Sequence, residues 1–222
     1  MWDTLPDYPV YSPPFSYGKG WKTIPPRNQI EQNYEYFLQR KADRLKHLTA
    51  YLAPFSVELR LEPPALPALG RWLYRYGGHL VPDGGDVISA LARYEPAWVG
   101  EYHGLNIVND VAIFAGDYIV SKNKGAHWDV WYGDGTKLSN EMDGFGMPCI
   151  FGLNHLGYRG HFSILHELHR CCAIVRYRSK HGNVPAPPWD KPGEFERLLN
   201  HLSDANAPDP VPFSQLNMDE LN

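Results

Sequence analysis

Three imidazoles and a carboxylate crowd one short segment of this chain, His161-Phe162-Ser163-Ile164-Leu165-His166-Glu167-Leu168-His169-Arg170. A zinc-protease helix places His at i and i+4 on one face, with a Glu beside the first as the base. Here His166 and His169 stand at i, i+3, near enough to share a face, while Glu167 is turned about 100° from His166. Such a pair holds a metal only with a ligand from elsewhere, for which Asp110 or His155 would serve. The competing reading is a polar helix face, with Leu165, Leu168 and Cys172 packed inward. A second cluster, Glu101-Tyr102-His103, precedes Asp110 and could share a proton-transfer task. Glu101 equally suits the positive end of the helix that follows. There is no Gly-x-Ser-x-Gly elbow, and no Ser or Cys comes with a recognisable His and Asp pattern. Gly144-Phe145-Gly146 lacks the later glycine, lysine and following helix of a phosphate cradle. The motifs assemble no catalytic set and call for no cofactor.

The elements that would position these groups centre on residues 104–135. Wound as a helix, Ile107, Val108, Val111, Ala112, Phe114, Ala115, Tyr118 and Ile119 fall on one broad apolar arc, which must be buried. The opposite side carries Asn106, Asp110 and Asp117, interrupted by Ile113 with Gly116 beside them. A polar row broken by isoleucine is odd for a solvated face. Either the helix is covered all round and these groups are hydrogen-bonded internally, or this face meets a ligand or partner. The buried, satisfied reading leads, and Gly116 is expected to serve close packing.

Other elements follow from periodicity. A long helix is expected over 28–52, with Ile30, Tyr34, Phe37, Leu38, Leu45, Leu48 and Leu52 inward and Pro54 as its stop. A second should span 65–76 and end at Gly77-Gly78, and a third about 87–94, capped by Asp86. Trp128, Val130 and Tyr132 alternate with His127, Asp129 and Trp131 as in a strand, and Asp134-Gly135 suits a hairpin whose return strand starts near Thr136. A further short strand is possible over 147–151. Helices over 162–176 and 194–202 complete an α+β domain, helix-dominated, with one small antiparallel sheet.

Composition bounds the function classes. The length of 222 residues suits one domain with appendages. Prolines and aromatics crowd residues 1–27, read as an extended arm laid on the body. Residues 28–181 form the core domain, and 182–222 a proline-rich segment with one short helix. No apolar run approaches the ~20 residues of a membrane span, and the opening residues do not resemble a secretory signal. Cytoplasmic location is expected. The odd cysteine count, Cys149, Cys171 and Cys172, argues against a disulfide framework. A net charge of −4 gives no field for nucleic acid. The basic cluster Arg40, Lys41, Arg44 and Lys46 reads as ordinary solvated helix surface.

Ile113-Phe114-Ala115-Gly116-Asp117, followed by Trp128 and Tyr132-Gly133-Asp134-Gly135, resembles a pattern of small bacterial domains of unassigned function, some of them immunity-type proteins that neutralise a toxin. The resemblance spans about residues 105–135 and implies an α+β core with no established active site. The leading expectation is a non-catalytic, cytoplasmic, bacterial-type protein that binds another protein, a toxin in the immunity manner, through Trp128, Trp131 and Tyr132 on whichever side of their strand the helices leave open. Two alternatives stand beside it. One is a metal-dependent enzyme using His166, His169 and Asp110. The other is a structural subunit of a homo-oligomer, wrapped by the aromatic arm.

Overall fold

The computed structural model describes residues 5, 7–17, 25–82, 97–133, 144–153, 160–181 and 193–204. Five helices appear among them: α1 (Arg27–Leu52), α2 (Leu66–Tyr76), α3 (Leu105–Lys122), α4 (Ile164–His181) and α5 (Glu194–Ser203). Three short strands, β1 (His127–Val130), β2 (Pro148–Phe151) and β3 (His161–Phe162), make one antiparallel sheet in the order β1-β2-β3. This is the α+β, helix-dominated architecture that the periodicities predict.

α3 is the central rod. Every residue from Leu105 to Gly116 is buried, as are Tyr118 and Ile119. α1, α4, α5 and β1 all pack against it. A helix with apolar residues on nearly every side has no stable alternative to such enclosure. One continuous core joins Tyr8, Tyr11 and Tyr17 of the N-terminal arm to all five helices.

α1 buries Ile30, Asn33, Phe37, Arg44, Leu48 and Leu52. Two expectations need correction here. Leu38, read as inward, is exposed at 48%. Arg44, read as solvated surface, is buried at 4%. The stripe runs from Phe37 to Arg44, seven residues or two turns on, so Arg44 takes the inner position. α2 runs into a short turn over Gly77–His79. There the main chain of α4 comes so close that a Cβ on Gly78 would lie 2.7 Å from Arg176 N.

The partner of β1 is β2, with Trp128 opposite Ile150 and Val130 opposite Pro148. It therefore falls at the run foreseen as a further strand. The expected start near Thr136, the Asp134-Gly135 turn and the helix over 87–94 lie outside the described residues. The helix foreseen from Phe162 begins at Ile164, because His161 and Phe162 extend the sheet by pairing with Phe151 and Ile150. No helix among the described residues is long and apolar enough to cross a membrane.

Gly116 lets β1 approach α3. A Cβ there would sit 2.0 Å from Cζ2 and 2.4 Å from Cη2 of Trp128. That indole is also wedged edge-on against Phe37, with centroids 4.9 Å apart. An alanine methyl there would displace the Trp128 indole from its place against Phe37. Gly116→Ala should therefore lower stability by about 2 kcal/mol in urea unfolding, despite the better helix propensity of alanine, since overpacking a filled core costs about 1–3 kcal/mol.

Candidate functional site

The polar row of α3 is spent on structure. Asn106, fully buried, accepts the Tyr11 N–H at Oδ1 (2.7 Å) and donates from Nδ2 to the carbonyls of Trp98 (2.9 Å) and His103 (2.7 Å). One turn on, Asp110 is also fully buried. Its Oδ1 accepts from Arg44 Nε (2.8 Å) and Asn109 Nδ2 (3.1 Å), and its Oδ2 accepts the Tyr8 hydroxyl (2.5 Å). Asp117, near the far end of the row, takes Lys41 Nζ (2.5 Å) and Trp128 Nε1 (2.7 Å) on one oxygen. Of the two readings open for this face, the structure takes internal satisfaction.

Arg44 is the hub that the sequence reading missed. Besides Asp110 it donates from Nη1 to the Pro9 carbonyl (2.7 Å) and from Nη2 to the Asn106 carbonyl (3.4 Å). Its guanidinium also lies 5.5 and 5.9 Å from the ring centroids of Tyr8 and Tyr11. The planar fork of arginine is what permits one side chain to join three segments. Burial pushes the Asp110 carboxyl above the ordinary carboxylate range, while Arg44 and the neighbouring donors pull against it. Burial, with the Asp110 charge adding to it, drives the Tyr8 hydroxyl well above its usual pKa, so it stays protonated and donates.

The arm is read along its main chain. His103 Nε2 meets the Tyr8 carbonyl at 2.9 Å, and Ala97 N–H donates to the Tyr11 carbonyl at 3.2 Å. Asn33 of α1 brackets Phe15, accepting its N–H and donating to its carbonyl, both at 3.0 Å. The proton-transfer cluster foreseen at Glu101-Tyr102-His103 thus does not assemble. His103 faces the arm, Glu101 is exposed, and Asp110 is enclosed by Arg44 and Tyr8.

His166 and His169 part company in the same way. His169 is buried at 3%, and neither ring nitrogen has a hydrogen-bond partner among the described residues. His166 is half-buried, and Glu167 pairs with Arg170. Asp110, proposed as the third ligand, is committed to Arg44. His155 lies outside the described residues. Among the described residues no three His, Cys, Asp or Glu side chains are placed to hold a metal ion. Burial, then the nearby His166, lowers His169 to about 4, so it is a neutral core residue. Cys149 and Cys171 are raised to about 12, chiefly by burial, and are poor nucleophiles there.

The three aromatic candidates also separate. Trp128, expected at a partner surface, is half-buried with its indole turned inward against Phe37 and Gly116. Tyr132 is half-buried beneath the Arg27 guanidinium, 4.6 Å from its centroid. Trp131 belongs to the other side of the sheet, with His127 and Asp129. Pairing sets His127 beside Phe151 and Phe151 beside His161, one row across three strands. Ring centroids along that row are 6.1 and 5.8 Å apart. Trp131 then stacks on His161 at 4.1 Å and meets Phe145 edge-on at 6.2 Å. The result is a chain of five rings on the outer face, with His127 exposed and the other four half-buried.

Two predictions test the interior. Arg44→Met should cost about 3–5 kcal/mol, because it leaves a buried carboxylate without its counter-charge. Arg44→Met combined with Asp110→Leu should cost less than the sum of the singles, and strictly additive losses in urea unfolding would refute the coupling. His169 fixes a pH dependence. Its folded pKa lies below the unfolded value near 6.5, so between those values the unfolded chain binds the proton and the folded chain does not. Its contribution is therefore complete above about pH 6.5 and falls away as pH drops toward 4, by up to about 3 kcal/mol. His169→Phe should flatten that slope in unfolding curves taken across the window.

No family model, curated protein or solved structure matches this chain.

Proposed function

We propose that the protein is a non-catalytic binder of another protein, and that the outer face of its sheet, centred on Trp131, is the recognition surface. The observation that carries this reading is the chain of five rings from His127 through Phe151, His161 and Trp131 to Phe145. Aromatic side chains bring large contact area with few rotatable bonds and dominate the energetics of protein interfaces. The disposition of the other polar groups points the same way. Asn106, Asp110 and Asp117 are consumed in holding α1, the arm and β1 to α3, which leaves the enzyme alternative without its carboxylate.

The likeness of the segment around Ile113–Asp117 and Tyr132–Gly135 to immunity-type domains makes a toxin the partner we favour, in a bacterial cytoplasm. Capture from the native cell followed by titration of the recovered partner tests the reading. Trp131→Ala should weaken binding at least tenfold, the loss expected of an interface anchor. Tyr177→Ala, at an exposed tyrosine of α4, should leave it unchanged. A partner held equally well by both variants would refute the assignment of this face.

A further inference from the structure

The segment from Val57 to Arg60 has the features of a strand without a sheet, and the chain bends at Leu61. The chain leaves the short turn Ala53–Phe55 through Ser56, whose φ is +57°, and reaches Glu62 in the β region. Between them burial alternates: Val57 is buried, Glu58 exposed, Leu59 half-buried and Arg60 exposed. The Glu58 and Arg60 side chains pair at 2.5 Å, two residues apart on the outward side. Both features have the period of extended chain. Main-chain bonds stop at its two ends, where Val57 N–H donates to the Leu52 carbonyl and Ala65 N–H to that of Glu62. Among the described residues, no main-chain group from Glu58 to Leu61 makes a backbone hydrogen bond.

Beside this edge lies an open groove of about 760 Å³, walled by Thr49 at the end of α1, Ala53 in the turn that follows it, Ala65 just before α2 and Ala68 in its first turn. Val57 and Leu59 line it, and Leu61, at 40% exposure, continues the apolar character past its end. The four residues Val57–Arg60, before the chain bends at Leu61 and Glu62, have a reach of about 13 Å when extended, that of a short strand. An unpaired row of N–H and C=O groups is a template for a further strand, and natural proteins otherwise blunt or cover such edges.

We propose that this groove binds an extended peptide segment of a partner protein by strand addition to Glu58–Leu61. Main-chain hydrogen bonds would supply affinity, and alternate side chains entering the groove between α1 and α2 would supply selectivity. Charge narrows the ligand further. Arg60 is paired with Glu58, whereas Glu62, also lining the groove, makes no ion pair among the described residues. The peptide therefore carries a Lys or Arg placed to meet Glu62. This surface is separate from the aromatic face of the sheet and does not depend on that assignment.

The test uses the full-length chain, labelled with ¹⁵N, and heptapeptides selected on it from a random displayed library. Selected sequences should alternate apolar with polar residues, carry a basic residue, and shift the amide signals of Glu58–Leu61. Methylating every second amide nitrogen of the peptide should weaken binding at least tenfold, since it removes the ladder while keeping the side chains. Glu62→Lys, at an exposed position, should weaken the basic peptides and favour acidic counterparts, whereas Trp131→Ala should leave the affinity of either unchanged. Failure to select any peptide, shifts centred elsewhere, or N-methylated peptides that bind as well as their parents would each overturn the proposal.

Discussion

The buried pairing of Arg44 with Asp110 is the constraint around which the rest of this structure is arranged. Taking both charges out of water costs several kcal/mol per ion, recovered only when geometry is good and every remaining donor and lone pair is used. The fold meets that demand with parts drawn from far along the sequence. Tyr8 supplies a hydroxyl, Pro9 and Asn106 supply carbonyls, and Asn109 supplies an amide. The N-terminal arm is consequently part of the core. Without it the guanidinium would lose the Pro9 carbonyl and two facing rings, and the carboxylate would lose its shortest hydrogen bond.

Because a network of this kind is stable only when complete, it fixes register as well as proximity. Asn33 grips Phe15, Asn106 grips Tyr11 and His103 grips Tyr8, each through main-chain atoms. A shift of the arm by one residue would break all three grips and expose the opposite set of side chains. The same economy recurs at the sheet. Asp117 holds the Trp128 indole and Lys41, Tyr34 donates to the Trp128 carbonyl at 2.7 Å, and Gly116 provides the space. Interior polar groups thus set the positions of the arm and of β1.

The sequence shows this plan unevenly, for physical reasons. Long periodic elements such as α1, α3 and α5 were legible because amphipathic spacing depends only on the chain itself. The burial of Asn106 and Asp110 could be argued from their place beside Ile113 on a helix with no solvated face. Arg44 was not legible by residue type, since a charged side chain among Arg40, Lys41 and Lys46 looks like surface. The signal was positional, seven residues after Phe37 and four before Leu48. The start of α4 was misplaced because His161 and Phe162 answer to a pairing with β2 that local propensity cannot see. The partners of site residues are equally hard to read where they are remote. Asp110 enters the metal-binding alternative because Tyr8 and Arg44, which take up its oxygens, are 102 and 66 residues away in sequence. The exposed side of β1 could be narrowed to Trp131 or to Trp128 with Tyr132, and only packing against α3 decides between them.

Both proposed recognition surfaces are held by α1, at different places along it. β1 is fixed through Tyr34, Phe37 and Lys41, whereas the groove beside Glu58–Leu61 abuts Thr49 and Ala53. At 1.5 Å per residue the two stations are about 20 Å apart along the helix axis. A single compact contact of ordinary size, about 800 Å² on each partner, is some 30 Å across and could reach both only if its patch were centred on α1 itself. Yet α1 turns its polar face outward between them, with Arg40, Asp43 and Lys46 joined in exposed ion pairs, the composition of a solvated rim and not of an interface centre. The geometry therefore favours two separate engagements, a face-to-face contact at Trp131 and a strand laid beside Glu58–Leu61. If one partner makes both, the second engagement becomes intramolecular, and its gain is set by the length of chain linking the two segments and not by new contacts.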